Sequence, residues 1–305
     1  MTTPGSEASL SGGLLKSATV AVIGRPSAGK STLVNALCGQ KVSIVSPVPQ
    51  TTRNRIRGIL TTEKGQIVFI DTPGFHLSEK KFNLHLSDLV SRTLSDVDAA
   101  LYVVDGARPF GAEEQALLDM LRRAAKPLVI CLNKKDRAAE FWSILRNKLL
   151  VAFPNAPLVE TSATGGQGVS EISDRLFDLA PVGDQMYPED YYTDQQPDFR
   201  IAEIVREKAI AHTRQELPHA LYVRMEDLEM RDDGATLWAR GFLLVERESQ
   251  MGILVGKAGE KIRAIVREAE KDLAEIFPYA VKLDMRVKVD REWRKKDQLL
   301  KYLIR

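Results

Sequence analysis

The sequence predicts an α/β protein in which a larger domain with a parallel sheet precedes a smaller α+β domain. Over residues 17–180, short apolar runs typical of buried strands alternate with stretches of helical periodicity. Over residues 199–305, the pattern changes to helix, strand, strand, helix, helix, strand. Residues 181–198 are rich in proline and acidic side chains and are predicted to be a linker between the two.

The composition of the whole chain agrees with two domains in a reducing compartment. A length of 305 residues favours two domains over one, and the net charge of +2 indicates no particular partner. Cys38 and Cys131 lie in apolar stretches, so we interpret them as reduced core residues of a cytoplasmic protein. The histidines lack the spacing of metal ligands, so no zinc site is expected. No apolar run approaches about 18 residues, the length that a membrane-spanning helix needs. Residues 1–16 are predicted to be a disordered leader rather than a signal peptide.

The elements of the larger domain alternate between strand and helix. The predicted strands are residues 19–23, 66–70, 99–104, 128–132 and 158–161. The predicted helices are residues 84–94, 112–125, 140–151 and 169–179. This order gives a parallel sheet covered on both faces, with ligands at the carboxyl ends of its strands. The polar motifs all fall just after strands, where such a site lies.

Residues 24–31 fit the phosphate-binding loop pattern between a predicted strand and a predicted helix, which indicates a P-loop NTPase fold. Two glycines let backbone N–H groups turn inward, and the helix N-terminus adds to this anion site. Lys30 would reach the terminal phosphates, and Ser31 would ligate Mg²⁺. The alternative is a glycine-rich turn before an ordinary helix. The predicted phosphate contacts are Gly24, Arg25, Pro26, Ser27, Ala28, Gly29, Lys30, Ser31 and Thr32.

Residues 46–54 contain two prolines and form a predicted loop that could complete the metal site. A threonine hydroxyl from such a loop can ligate Mg²⁺ when the γ-phosphate is present. Thr51 and Thr52 are both candidates, and the sequence alone does not choose between them. The predicted metal ligands are Ser31, Thr52 and Asp71. The alternative is a surface loop with incidental threonines.

The tetrapeptide at residues 71–74, Asp-Thr-Pro-Gly, follows a predicted strand. Asp71 would hold Mg²⁺ through a water molecule, and the Gly74 N–H would contact the γ-phosphate. A simple strand-terminating turn favours the same residue types. The predicted nucleotide contacts here are Asp71, Thr72, Pro73, Gly74 and Phe75, and the predicted catalytic set is Lys30, Thr51, Thr52 and Gly74.

The tetrapeptide at residues 133–136, Asn-Lys-Lys-Asp, indicates which base is bound. The Asp136 carboxylate can accept both the ring N–H and the exocyclic amine of guanine, whereas adenine would leave it unpaired. Asn133 would brace the loop, and Lys134 would cover the ring face with its stem. The turn at residues 161–163 could offer a backbone N–H to the guanine carbonyl. The predicted base contacts are Asn133, Lys134, Lys135, Asp136, Ser162 and Ala163.

These motifs in this order resemble the translation-factor class of GTPases, and most closely the Era family. The resemblance rests on Gly24-Arg-Pro, Gln50-Thr-Thr-Arg53, Asp71-Thr-Pro-Gly-Phe-His76 and Asn133-Lys-Lys-Asp136. It implies a Mg²⁺-dependent GTPase that binds the 3′ region of 16S rRNA and assists assembly of the small (30S) ribosomal subunit. It further implies a cytoplasmic protein, partly at the inner face of the cytoplasmic membrane. We expect a monomer with no DNA partner.

Two positions bear on the rate of hydrolysis. Many small GTPases carry a Gln after the Asp-x-x-Gly glycine to orient the attacking water. This chain has Phe75 there, which predicts slow intrinsic turnover. Relatives usually carry Asn at the position of Ser27, where in some of them it helps to bind a monovalent cation. Ser27 has one hydroxyl and a shorter reach, which argues against stimulation of hydrolysis by potassium.

The second domain resembles a KH domain of the bacterial type (type II) because Gly256-Lys-Ala-Gly259 separates its two central helices. Such a loop clamps about four nucleotides through backbone and lysine contacts. Ile253, Leu254 and Ile262 would pack beneath the bases or form core, and we expect core for two of the three. The predicted RNA contacts are Gly256, Lys257, Ala258, Gly259, Lys261, Trp293 and Arg294.

Basic side chains are concentrated in the last part of the chain. Residues 280–305 contain nine basic and four acidic side chains, an excess of five positive charges. A charged tail is often only a solvated face, but next to a KH-like loop it favours an RNA backbone as partner. Trp293 offers a ring that could stack on a base or pack against the protein.

Two other functions are compatible with parts of this pattern. A P-loop phosphotransferase would show no preference for guanine and no affinity for RNA. An RNA-binding scaffold with a structural nucleotide site would retain its biological function after Lys30→Ala.

Overall fold

The structure is a computed structural model, and it describes residues 14–78, 81–137, 140–296, 299–300 and 303. Most of the predicted leader, residues 1–16, lies outside the described residues, but Lys16 already belongs to the first strand. The strands are β1 Lys16–Ile23, β2 Ile56–Thr62, β3 Gly65–Asp71, β4 Ala99–Asp105, β5 Leu128–Asn133, β6 Leu158–Glu160, β7 Tyr222–Arg231, β8 Thr236–Val245 and β9 Ala280–Val289.

The helices lie close to the predicted ones. They are α1 Lys30–Cys38, α2 Lys81–Asp96, α3 Ala112–Ala124, α4 Trp142–Ala152, α5 Val169–Leu179, α6 Pro197–Ala211, α7 Leu217–Ala220, α8 Glu248–Val255 and α9 Glu260–Ile276. The prediction of a helix over residues 169–179 is confirmed to the residue by α5. In the described part of the chain, no helix is both long enough and apolar enough to cross a lipid bilayer.

Within the described residues, the larger sheet has the strand order β2-β3-β1-β4-β5-β6. Its strands are parallel except for the edge strand β2, which is antiparallel to β3 and was not predicted. β2 escaped prediction because its sequence, Ile-Arg-Gly-Ile-Leu-Thr-Thr, has neither a continuous apolar run nor a clean alternation. The strand order reverses at β1, which lies between β3 and β4. The loop after β1 therefore opens into the crevice where ligands bind in such sheets.

Successive residues of β1 point into two separate cores. Val20 and Val22 pack in the cluster that includes residues of α1 and α5. Ala21 and Ile23 pack in the opposite cluster, which includes residues of α2, α3 and α4. Burial on both faces accounts for the almost continuous apolar character of the central strands. The two layers of helices hold the ends of these strands, and the loops that follow them, in fixed positions.

The smaller domain is a three-stranded sheet of order β7-β8-β9 with helices on one face. β7 is antiparallel to β8, and β9 is parallel to it. Alternate residues of β8, such as Leu237, Ala239 and Leu243, enter a core shared with α6, α8 and α9. The fold class predicted from the sequence, a parallel-sheet domain followed by an α+β domain, is confirmed.

The segment at residues 181–198 and the α1–β2 loop (residues 39–55) join the two domains. The Gln195 side chain donates to the Val42 carbonyl at 2.8 Å, and the Gln66 amide donates to the Tyr187 carbonyl at 2.9 Å. Ile44, from the α1–β2 loop, is buried in the core cluster of the smaller domain. The loop that covers the front of the larger domain is therefore anchored in the smaller one.

Candidate functional site

A cleft of about 380 Å³ opens at the carboxyl ends of the parallel strands. It is lined by the loop after β1, the α1–β2 loop, Gly74 and the loop after β5. Lys30 and Asp136 both line this cleft, as a single bound nucleotide requires. The motifs that are far apart in sequence meet because each follows a parallel strand of the same sheet.

The loop after β1 is shaped to surround an anion. Gly29 has φ +96°, and a Cβ there would lie 2.4 Å from the Asn133 side chain, so a larger residue does not fit. Asn133 in turn donates to the Ala28 carbonyl at 2.9 Å and braces the loop. The Lys30 ammonium lies over the loop and donates to the Gly24 and Arg25 carbonyls at 3.2 and 3.0 Å. Burial lowers the pKa of Lys30 to about 8, and Asp71 acts in the opposite direction.

Three side-chain oxygens meet beside this loop and form a candidate metal site. The Ser31 hydroxyl donates to Asp71 Oδ2 at 2.7 Å and lies 2.8 Å from the Thr52 hydroxyl. The Thr51 hydroxyl instead donates to the Val48 carbonyl at 2.7 Å. The geometry therefore favours Thr52 over Thr51, the choice that the sequence left open.

The Asp71 carboxylate fits an ion-bound water. Its Oδ1 atom is buried and has no hydrogen-bond partner among the described residues. Burial raises the pKa of Asp71, whereas Lys30 and the hydroxyl of Ser31 act to lower it. A hard, oxygen-coordinated cation such as Mg²⁺, which keeps several of its waters, suits this donor set.

The loop after β5 forms the other end of the cleft. Asp136 is 44% exposed and accepts a hydrogen bond from the Ser162 hydroxyl at 2.6 Å, which contributes most to lowering its pKa. The Lys134 ammonium contacts the Ser27 carbonyl and Asp105, both at 2.7 Å. The Asp136 carboxylate is therefore ionised and open to a ligand. The Lys134 side chain joins the loop after β5 to the loop after β1 through its contact with Ser27.

Two predicted backbone donors at this end are already used within the protein. The Ser162 N–H donates to the Gln167 carbonyl at 3.1 Å, and the Ala163 N–H donates to Asn133 Oδ1 at 3.0 Å. In this arrangement both N–H groups have partners within the protein, and a contact of either with the guanine carbonyl stays a prediction. The bond from Ala163 ties the turn to Asn133 at the end of β5, and the bond from Ser162 joins the turn to the segment that follows it.

Four predicted contact residues have side chains that face away from the cleft. Arg25 pairs with Glu113 and Glu114 on α3. Thr72 donates to the Val22 carbonyl at 2.7 Å, Phe75 is buried in the core below the cleft, and Lys135 pairs with Glu160 at 3.0 Å. Only the backbone of these residues can approach a nucleotide.

The loop between α8 and α9 has the shape expected of a backbone clamp. Gly256 has φ 72° and ψ 179°, a conformation that is essentially restricted to glycine. Lys257 is exposed and forms no ion pair with any residue that the structure describes. Ile253 is 49% exposed and Leu254 is fully buried, while Ile262 packs partly buried against the core. The expectation that two of these three residues form core is confirmed.

The expectation that Trp293 contacts RNA is wrong in this arrangement of the domains. Its ring is fully buried, its indole N–H donates to the Ala220 carbonyl at 2.9 Å, and it packs against Tyr222 and Phe82. Arg294 is paired with Glu246 through two hydrogen bonds of 3.0 and 2.5 Å. These two residues thus attach the C-terminal segment to the protein.

Sequence reasoning missed one set of contacts between the two domains. Arg206 on α6 donates to the Thr51 carbonyl at 2.7 Å. The Arg53 guanidinium donates to the Leu221 carbonyl at 2.7 Å and lies 5.6 Å from the ring centroids of Phe82 and Trp293. No sequence motif marks these two hydrogen bonds, because each joins an arginine to a backbone carbonyl far away in the chain.

Comparisons with known proteins give the same two-part result. A family model described as a 50S ribosome-binding GTPase matches residues 19–134. A model of the KH domain matches residues 216–294. The chain is 49% identical to GTPase Era of Treponema denticola over 290 residues, which is 94% of this chain and 99% of that protein. It is 41% identical to GTPase Era of Borreliella afzelii, over 95% of this chain and all of that protein.

Solved structures agree over the whole fold. A crystal structure of an Aquifex aeolicus Era variant bound to GDP and aluminium fluoride superposes with a TM-score of 0.89 at 31% identity, covering 94% of this chain and 98% of the other. A structure of Era with MgGDPNP and nucleotides 1506–1542 of 16S ribosomal RNA gives the same TM-score and coverage at 30% identity. The fold and the cleft define a GTPase joined to a KH domain. The chain belongs to the Era family.

Proposed function

We propose that this chain is a GTP-driven switch that binds the 3′ region of 16S rRNA and assists assembly of the small ribosomal subunit. The cleft would hold GTP with its phosphates at the loop after β1 and its guanine at Asp136. Lys30 would neutralise the terminal phosphates, and the Gly74 N–H would contact the γ-phosphate. Mg²⁺ would be ligated by Ser31 and Thr52 and, through water, by Asp71.

Slow turnover is part of this proposal. The Phe75 ring is buried, and its N–H donates to the Gly24 carbonyl at 3.1 Å. The side chain after the Asp-x-x-Gly glycine therefore cannot orient an attacking water. Hydrolysis would depend on Mg²⁺, Lys30 and backbone donors, so the GTP-bound state would persist for long enough to act as a signal.

One observation carries the switch proposal: the α1–β2 loop contacts the cleft and the smaller domain at adjacent residues. Thr52 faces Ser31 at the candidate metal site, whereas the Thr51 carbonyl is bonded to Arg206 on α6. A loop that is ordered by the γ-phosphate and released on hydrolysis would therefore change the contacts of the KH domain.

The RNA would lie along the loop between α8 and α9. Lys257 is exposed, and Gly256 and Gly259 remove the side chains that would keep a nucleic acid backbone away. Lys261 follows on α9, and Ile253 offers exposed apolar surface beside the loop. These groups would bind a short single-stranded segment of RNA.

The RNA proposal is tested by filter binding with a single-stranded RNA of the 3′ end of 16S rRNA and with the same nucleotides in scrambled order. We expect tighter binding of the native order. Lys257→Ala should weaken both complexes and reduce the salt dependence of binding by about one phosphate contact. Equal affinity for both RNAs would contradict the assignment of 16S rRNA.

The proposed place of action is the cytoplasm, with a fraction of the protein in peripheral contact with the cytoplasmic membrane. This part rests on membership of the Era family alone. Co-sedimentation with vesicles of anionic phospholipid tests it: binding that salt abolishes is expected, and a protein that stays in the supernatant at low salt would contradict membrane contact.

A further inference from the structure

Helix α6 of the smaller domain runs along the α1–β2 loop and contacts it from end to end. Near the start of the loop, the Lys41 ammonium pairs with Glu207 on α6 and with Asp272 on α9, at 2.6 and 2.8 Å. Glu207 also accepts a hydrogen bond from the Val45 N–H at 2.8 Å. Towards the end of the loop, Arg206 of α6 donates a hydrogen bond to the Thr51 carbonyl. The helix therefore holds the loop through polar contacts at three positions, residues 41, 45 and 51.

Arg206 is held rigidly where it meets the loop. It is 2% exposed and Glu203 is 8% exposed. Two hydrogen bonds of 2.7 and 2.5 Å join the two side chains. A buried pair with two parallel bonds fixes the guanidinium plane as well as its position. The remaining bond from its Nη2 atom, at 2.7 Å, goes to the Thr51 carbonyl.

The bond from Arg206 lies next to the proposed metal ligand in the chain. The Thr51 carbonyl belongs to the peptide that leads into Thr52, so holding this carbonyl restricts the rotation of that peptide. On the other side of Thr52, the Arg53 side chain is fixed by carbonyls of the smaller domain. Thr52 thus lies between two residues that are both attached to the smaller domain, Thr51 through its carbonyl and Arg53 through its side chain.

We propose that Arg206 is a positioning residue for GTP hydrolysis, acting through the Thr51 carbonyl to keep the Thr52 hydroxyl at the Mg²⁺ site. The smaller domain would therefore contribute to the catalytic geometry of the larger one, in addition to binding RNA. This inference rests on the proposed role of Thr52. Because a misplacement of about 1 Å can cost on the order of a hundredfold in rate, loss of this bond should be visible in kcat.

The test uses the full chain with Glu203→Leu and Arg206→Met combined. Removing both members of a buried ion pair leaves no unpaired charge, so the domain should still fold. We expect kcat for GTP to fall about tenfold or more and the Mg²⁺ concentration for half-maximal rate to rise. Affinity for GDP should be unchanged, because the α1–β2 loop is proposed to be ordered only when the γ-phosphate is present. Asp198→Asn, at an exposed position in the first turn of the same helix, is the matched control and should leave kcat unchanged.

A double-mutant cycle with Thr52→Ala separates positioning from general damage. If Arg206 acts through Thr52, the combined Glu203→Leu and Arg206→Met substitutions should cause little further loss of kcat in a chain that already carries Thr52→Ala. Fully additive losses, an unchanged kcat, or an equal loss of GDP affinity would each overturn the proposal. A Thr52→Ala chain with normal kcat and normal Mg²⁺ dependence would instead contradict the proposed role of Thr52 itself.

Discussion

The hydroxyls of Ser31 and Thr52 lie 2.8 Å apart, although 21 residues separate them in the chain. Ser31 lies in the first turn of α1, and Thr52 belongs to the α1–β2 loop, which is anchored in the smaller domain by Ile44. Asp71 completes the group through its bond to Ser31. Two neighbouring threonines were candidates for this position, and only one of them has its hydroxyl at the site.

The first prediction concerns these two threonines. Thr52→Ala should lower kcat for GTP by roughly tenfold to a thousandfold and raise the Mg²⁺ requirement, because a proposed metal ligand is lost. Thr51→Ala is the control, since it removes only the hydrogen bond to the Val48 carbonyl. Steady-state hydrolysis over a series of Mg²⁺ concentrations measures both. A larger effect of Thr51→Ala than of Thr52→Ala would reverse the assignment.

The second prediction concerns the choice of base. Asp136→Asn replaces an acceptor pair by an amide, so affinity for GTP should fall by roughly a hundredfold while preference moves towards xanthosine triphosphate. Competition binding with GTP, ATP and XTP measures this. Ser162→Ala, which removes the hydrogen bond to Asp136, should weaken GTP binding without changing the order of preference. ATP that outcompetes GTP on the unaltered chain would refute the guanine assignment.

A third prediction concerns the monovalent cation. Ser27 has φ 63°, and its carbonyl already accepts a hydrogen bond from the Lys134 ammonium at 2.7 Å. A positive charge thus lies beside the position where a longer side chain could help to hold potassium. We expect equal GTP turnover in potassium and sodium buffers, and a gain in potassium with Ser27→Asn, because Asn tolerates the left-handed conformation well. Strong stimulation of the unaltered chain by potassium would show the prediction to be wrong.

The fourth prediction separates RNA contact from stability in the smaller domain. Trp293→Phe loses the hydrogen bond to the Ala220 carbonyl in a buried site and should lower the free energy of unfolding by about 1–3 kcal/mol. At a temperature where the variant is folded, its RNA affinity should be normal. Lys257→Ala should behave in the opposite way, with normal stability and weaker RNA binding. Thermal unfolding together with filter binding distinguishes the two, and the same pattern in both variants would count against this division.

The sequence was sufficient for features that depend on local pattern. Gly29, Lys30 and Asp136 could be placed in one cleft because each follows an apolar run, and parallel strands bring such positions to one edge. The break between α8 and α9 was visible in Gly256 and Gly259. In both cases a residue type and its neighbours were enough to fix the geometry.

Features that depend on distant partners could not be predicted. Trp293 looked like a residue available for stacking, yet its surroundings are supplied by Tyr222 and Phe82, which no local pattern connects to it. The bond of Arg206 to the Thr51 carbonyl spans 155 positions. A backbone carbonyl leaves no mark in the sequence, so the contact between the two domains emerges only in the folded chain.

The most direct test of the switch is the affinity for the 3′ segment of 16S rRNA measured with Mg²⁺ and either GDPNP or GDP. If the nucleotide site and the RNA site are coupled by a free energy of the usual size, the RNA should bind at least about fivefold more tightly with GDPNP than with GDP. Lys30→Ala, which removes the proposed contact with the terminal phosphates, should abolish the difference. Equal RNA affinity in the two nucleotide states at every salt concentration would contradict the account.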